Sequence, residues 1–180
     1  MRKIYIIIIC VICAIGAYAK SDIPENNRTV FAWGADAGAS IDMTGSDMSD
    51  INFSAQFGLK RGWINFLGIG LGADLTTANS CRSYDIFADF RTNFVNRPTL
   101  LFWPTRLGAS LNYLEHNHEQ TGFYGSTGIG INLARGKKYC SYMIVGYTFR
   151  ERRYIESEDG SMSHDFKNLH YATVKIGITF

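Results

Sequence analysis

The sequence predicts an all-β protein: a closed, antiparallel, eight-stranded up-and-down β-barrel that spans a membrane. Three observations carry that expectation. Apolar residues alternate with small or polar ones in eight successive runs, a period of two that belongs to strands rather than helices. The connections between runs are alternately short and long. The face opposite the apolar one is mainly Gly, Ser and Asn with isolated charges, whereas a solvated sheet face is rich in Lys, Glu and Thr.

The chain begins with MRKIYIIIICVICAIGAYAK: a basic start (Arg2, Lys3), an apolar run from Ile4 to Ala17, and small residues before Lys20. This reads as a secretory signal peptide over residues 1–19, with Ala17-Tyr18-Ala19 as the cleavage site. The run is short of the about 20 apolar residues of a spanning helix. Cleavage takes Lys+Arg from 18 to 16 against 16 Asp+Glu, so the mature chain is neutral and no nucleic-acid partner is implied. No later segment is apolar enough for a membrane helix, a test to which barrels are blind. Residues 20–28, KSDIPENNR, read as a flexible lead-in, and residues 29–180 as the barrel.

Run one, FAWGADAGASIDM, sets Phe31, Trp33, Ala35, Ala37, Ala39, Ile41 and Met43 against Ala32, Gly34, Asp36, Gly38, Ser40 and Asp42. Run two, INFSAQFGL, sets Ile51, Phe53, Ala55, Phe57 and Leu59 against Asn52, Ser54, Gln56 and Gly58. Run three, FLGIGLGADL, sets Leu67, Ile69, Leu71, Ala73 and Leu75 against three glycines and Asp74. Run four, SYDIFADFRTNF, sets Tyr84, Ile86, Ala88 and Phe90 against Asp85, Phe87, Asp89 and Arg91. Run five ends TRLGASLNY, with Leu107, Ala109, Leu111 and Tyr113 against Arg106, Gly108, Ser110 and Asn112. Run six, GFYGSTGIGINL, sets Phe123, Thr127, Ile129, Ile131 and Leu133 against Tyr124, Ser126, Gly128, Gly130 and Asn132. Run seven, YCSYMIVGYTF, is ambiguous in phase, and Met143, Val145, Tyr147 and Phe149 are assigned to the apolar face. Run eight, NLHYATVKIGITF, sets Ala172, Val174, Ile176, Ile178 and Phe180 against Tyr171, Thr173, Lys175, Gly177 and Thr179. Pro104 in run five calls for a bulge, or for a strand that begins at Thr105, because a closed barrel has no free edge for a residue without N–H.

Residues 60–62, 95–99 and 134–138 are the short turns; they carry Lys60, Arg61, Arg97, Arg135, Lys137 and Lys138 and no acid. Residues 44–50, 77–82, 114–121 and 151–165 are the longer loops and hold most of the exposed acids. Trp33, Phe57, Trp63, Phe66, Phe94, Trp103 and Phe180 gather near the short-turn end, and Tyr113 and Phe123 near the loop end, as two interfacial belts.

With these features the chain resembles the small eight-stranded outer-membrane barrels of Gram-negative bacteria, of OmpA/OmpX-like architecture. The resemblance covers residues 29–180 and is one of architecture, without a diagnostic motif. It implies an outer-membrane location with both termini periplasmic and four loops outward. It also implies that YATVKIGITF, ending in Phe180, is the signal read by the barrel-assembly machinery. Outer-membrane lipid and lipopolysaccharide are the implied surroundings.

On this topology Cys81 and Cys140 lie at opposite ends of the barrel, more than ~20 Å apart at about 3.3 Å per strand residue. A disulfide needs Cα atoms within about 7 Å, so two free thiols are expected. Three constellations carry chemistry. His116 and His118, flanked by Glu115 and Glu119, have the spacing to hold a divalent metal, but no remote third ligand is evident and a solvated loop is the preferred reading. Ser163, His164 and Asp165 offer nucleophile and base types, yet catalysis requires a geometry that adjacency does not give. Asp36, Asp74, Asp85, Asp89, Arg91, Arg106 and Lys175 form a lumen charge set, read as an interior salt-bridge core rather than a pore at this strand number. The expected function is therefore a non-enzymatic, monomeric envelope barrel with a structural role or a role in binding an extracellular ligand through residues 151–165. A lipid-modifying enzyme of the lipid A deacylase or acyltransferase type is the alternative, with passage of a small apolar ligand as a third. No cofactor is expected.

Overall fold

The computed structural model describes residues 29–45, 48–77, 82–94, 100–114, 118–136, 138–158 and 161–180, with backbone alone at 114, 118–120, 152–158 and 161–167. Eight strands follow in chain order: β1 (Val30–Asp42), β2 (Asp50–Arg61), β3 (Ile64–Thr76), β4 (Arg82–Asn93), β5 (Leu101–Leu114), β6 (His118–Arg135), β7 (Cys140–Glu158) and β8 (Ser161–Thr179). Each pairs antiparallel with the next, and β8 returns to β1 from Gly34↔Thr179 to Asp42↔Tyr171, so the barrel is closed. The signal-peptide and lead-in assignments lie outside the described residues.

The alternation resolves as the sequence predicts. Along β1, Ala32, Gly34, Asp36 and Ser40 are buried, while Phe31, Trp33, Ala35, Ala37, Ala39 and Ile41 are exposed. The same parity holds around the wall. Asp89 and Gln56 are fully buried, whereas Ile69 is 69 % exposed and Leu71 60 % exposed. Charge inside and apolar surface outside is a membrane barrel's arrangement; a soluble sandwich reverses it. Run seven also settles: Tyr142, Ile144, Thr148 and Arg150 are buried, and Val145 and Tyr147 face out.

Small residues on the inner face make room for its rings. Gly177 pairs with Tyr142, and a Cβ on Gly177 would lie 2.4 Å from the Tyr142 ring. Gly130 pairs with Phe102, and its Cβ would lie 2.1 Å from that ring. Each of these two rings thus occupies the space beside a glycine of the neighbouring strand.

Phe66 departs from the belt assignment. It is 1 % exposed, in the lumen, because period two sets it opposite Leu67; its partner is Arg91, whose guanidinium lies 4.9 Å from its ring centroid. Pro104 departs too. Neither a bulge nor a delayed start occurs: β5 begins at Leu101, and Pro104 pairs with Arg91. The ladder to β6 holds one register from Phe102↔Gly130 to Thr105↔Thr127 and omits only the rungs of Trp103 and Pro104. Proline has no N–H to give there. The Thr127 hydroxyl fills the gap, donating to the Pro104 carbonyl at 3.3 Å and accepting from Trp103 Nε1 at 2.8 Å. Pro104→Ala should keep the register and change stability by less than about 1 kcal/mol, the recovered ladder bond offsetting the looser unfolded chain. An unchanged urea midpoint and slope is the expected result.

Two loops are shorter than the sequence suggested. β5 and β6 pair from Tyr113↔Glu119 to Leu114↔His118, so residues 118–121 are strand. β7 and β8 pair without a break to Glu158↔Ser161, so most of residues 151–165 is hairpin rather than loop.

Candidate functional site: the charged lumen and the projecting hairpin

The lumen holds two ionic clusters. In the half nearer the short turns, Asp36 of β1 receives Arg106 Nη2 at 2.5 Å, Tyr142 OH at 2.9 Å and Ser54 Oγ at 2.6 Å. Gln56 Nε2 also donates to it at 2.5 Å. Arg106 reaches Asp89 through Nε at 3.0 Å, and Arg91 grips both Asp89 oxygens, at 3.0 and 2.6 Å. Two carboxylates face two guanidiniums, so this cluster is balanced. The bidentate Arg91–Asp89 contact is the fork geometry that suits guanidinium to carboxylate.

In the loop half, Arg150 of β7 is the hub. Its Nη1 donates to Asp50 at 3.1 Å, and its Nη2 to Asp85 at 2.7 Å and to Asp74. Three carboxylates from β2, β3 and β4 thus converge on one guanidinium. Lys175, 6 % exposed, acts electrostatically on Asp74 and Asp85 and on Asp36 of the other cluster. Each arginine also lies against rings. Arg91 is 4.5 Å from the Tyr142 centroid, Arg106 is 4.9 Å from Phe87, and Arg150 is 5.5 Å from Tyr124. Cation–π contact partly replaces lost hydration.

Hydroxyls complete the interior. Asn52 Nδ2 donates to Ser40 Oγ at 2.9 Å, Ser40 and Thr173 share a bond of 3.0 Å, and Thr173 donates to Thr148 at 2.9 Å. Met48, Leu169 and Tyr171 form a small apolar cluster, with Met48 drawn from the β1–β2 connection. All seven charges expected in the lumen are there and buried. Arg150 and Asp50 were missed, although continuing the parity of their runs reaches both: Tyr142, Ile144, Gly146, Thr148, Arg150 in one, and Gln56, Ser54, Asn52, Asp50 in the other. This interior is a packed polar core of the kind that fills small barrels.

The candidate chemical sites fall differently. Ser163, His164 and Asp165 sit on the β8 ladder, paired with Glu156, Ile155 and Tyr154, and their side chains lie outside what is described. His116 lies outside the described residues; His118 opens β6 on backbone opposite Leu114. Cys140 carries a free thiol, 3.2 Å from Asn132 Oδ1, while Cys81 lies outside the described residues.

The hairpin is the feature that leaves the wall. The β6–β7 ladder ends at Tyr124↔Arg150, with Phe123 N still donating to Glu151 Oε2 at 3.2 Å, and the β1–β8 ladder ends at Asp42↔Tyr171, with Met43 N still donating to the His170 carbonyl at 2.8 Å. From Arg152↔Lys167 outward the two strands pair only with each other. At the opposite end Phe180 closes the seam. It exchanges backbone bonds with Trp33 at 2.7 and 3.3 Å, and the two rings stack at 4.5 Å.

No protein family matches the sequence, and no curated protein matches it. Among solved structures the chain is similar to Neisserial surface protein A, an eight-stranded outer-membrane barrel. That likeness has a TM-score of 0.52 and 14 % sequence identity, and covers 84 % of this chain and 97 % of that one. At this identity the likeness speaks for the fold: a closed, eight-stranded, antiparallel outer-membrane type of barrel.

Proposed function

We propose that the protein is an exported, non-enzymatic, monomeric outer-membrane barrel with both termini periplasmic, whose β7–β8 hairpin serves a binding role at the cell surface. The observation that carries this reading is the pairing of β7 with β8 from Arg152↔Lys167 to Glu158↔Ser161, past the last bond either strand shares with the wall. A ladder that continues without the barrel behind it presents two strand edges, a ready surface for a partner. The filled, ion-paired lumen supports a scaffold rather than a conduit. The neighbour of similar fold is named as a surface protein, which agrees with display of loops outward. Outer-membrane phospholipid and lipopolysaccharide surround such a barrel, and the assembly machinery inserts it.

In intact cells external trypsin should cut at Arg152, Arg153 or Lys167 and leave a membrane-held remnant. Lipid A mass spectra with and without the gene should coincide, and the purified protein should add no step conductance to a planar bilayer. Cleavage only after the membrane is opened would invert the topology. A lipid A profile altered by deletion, and again by His164→Ala, would replace this reading with a lipid-modifying enzyme.

Phe180 has a separable test. Loss of the Trp33 stack in Phe180→Ala should cost about 1 kcal/mol in the purified, refolded barrel. A much larger loss of assembled protein in cells, beside that small change in vitro, is expected if the terminal ring is read during assembly. Equal, small effects in both settings would leave it a seam contact.

A further inference from the structure

At the short-turn end the described residues carry four cations and no carboxylate side chain from Leu59 to Phe66, from Asn93 to Phe102, from Leu133 to Tyr142 and from Ile176 to Phe180. Lys60 and Arg135 are half-buried at the lumen mouth, where Arg135 pairs with Cys140 across the ladder; Arg61 and Lys138 are exposed on the rim. Among the described residues none of the four forms an ion pair, and the internal salt bridges all run to Arg91, Arg106 or Arg150. Half-buried cations without counter-charge attract anions.

The surroundings say which kind of anion. Arg61 is two residues from Trp63, and Lys138 is next to Tyr139; these rings are 48 % and 46 % exposed. Phe94, Leu100, Trp103 and Phe180 are exposed on the same rim. Aromatic rings mark the depth of the headgroup boundary, and basic side chains reach from just beyond it to the phosphates. A soluble acidic protein would meet the cations but has no use for the ring belt beneath them. A lipid meets both at once.

We propose that this basic rim is a docking surface for anionic phospholipid headgroups of the periplasmic leaflet. Arg61 and Lys138 contact the phosphates, Lys60 and Arg135 add positive potential from the lumen mouth, and Trp63, Tyr139 and Trp103 flank the glycerol and upper acyl chains. The assignment of leaflet rests on the periplasmic placement of the termini given above.

All three tryptophans of the chain, Trp33, Trp63 and Trp103, lie at this end, so their fluorescence reports on this rim alone. The test refolds the full mature chain into phosphatidylcholine vesicles doped with the same small fraction of brominated phosphatidylglycerol or of brominated phosphatidylcholine. The charged quencher should quench about twofold or more beyond the neutral one, since basic side chains at a membrane surface enrich anionic lipid beside them. The excess should vanish at about 1 M salt, where the Debye length is about 3 Å. It should vanish too when Lys60, Arg61, Arg135 and Lys138 are all changed to Gln, in protein that keeps its heat-modifiable band. The salt arm needs no variant, so it decides the matter if the variant does not fold. Equal quenching by both lipids overturns the proposal. So does an excess displaced by lipid A at concentrations where unlabelled phosphatidylglycerol leaves it intact, which would assign the rim to lipopolysaccharide phosphates instead. The trypsin and lipid A outcomes of the preceding subsection do not depend on this result.

Discussion

Arg150→Met is expected to lower the stability of the barrel by about 3–5 kcal/mol, or to prevent folding. The side chain donates to Asp50, Asp74 and Asp85, each of them buried. Removing it leaves three carboxylates on three strands, with Lys175 acting on two of them, Asp74 and Asp85. An uncompensated buried charge costs far more than the pair it leaves behind was worth, which is why truncating one partner is severe. Urea unfolding in detergent, followed by tryptophan emission and by the boiled and unboiled band positions, reads the effect. A second variant keeps the argument open to failure: Arg150→Met with Asp50→Asn, Asp74→Asn and Asp85→Asn removes the unbalanced charge as well. It should recover to within about 2 kcal/mol of wild type, since a buried ionic cluster adds little net stability over neutral groups of similar volume. If the single variant were as stable as wild type, water in the lumen would be solvating the carboxylates, and the packed-core description would be wrong.

Asp36→Leu is the second large effect, expected at about 3–5 kcal/mol. Asp36 joins β1 to β2 through Ser54 and Gln56, to β5 through Arg106 and to β7 through Tyr142. Leucine fills a similar volume but leaves Arg91 and Arg106 with Asp89 alone, a net positive charge within the wall. Arg106→Met added to Asp36→Leu should restore most of the loss, because Arg91–Asp89 is then a balanced pair with bidentate geometry. The double-mutant cycle should give a coupling of about 2–3 kcal/mol between residues 36 and 106. A coupling near zero would mean that Asp36 acts through Gln56 and Tyr142 and not through the arginine.

Strand number, closure, facing and most of the lumen charges were legible because they depend on parity, and parity is local: one residue fixes the side of the next. Arg150 and Asp50 sit one residue beyond the visible alternation of their runs, and strand ends are set by pairing across the sheet rather than by composition. The hairpin escaped for the same reason. Residues 151–165 are polar and hold one glycine, which reads as loop, yet Glu158↔Ser161 is still a rung. Pro104 fits inside the wall because the ladder to β6 skips its rung without losing register, while its carbonyl still finds a donor in the Thr127 hydroxyl; neither is visible from run five alone. Phe66 was placed by its ring type when its parity with Leu67 already placed it inside. Which residues converge on one guanidinium depends on the stagger of distant strands, which no single run of sequence contains.

Ion pairs of the two clusters run across the lumen between strands that are not neighbours: β1 to β5 through Asp36 and Arg106, and β2, β3 and β4 to β7 through Arg150. They act as spokes, and the hydrogen-bonded wall acts as a hoop around them. A hoop alone can be unzipped at its weakest seam, one rung after another. With spokes, parting β8 from β1 far enough to matter would strain the Asp36 contact with Tyr142 on the far side of that seam as well as the rungs of the seam itself. The wall should therefore breathe as a unit and resist any door in its side, which argues against a lipid-facing exit for a small apolar cargo.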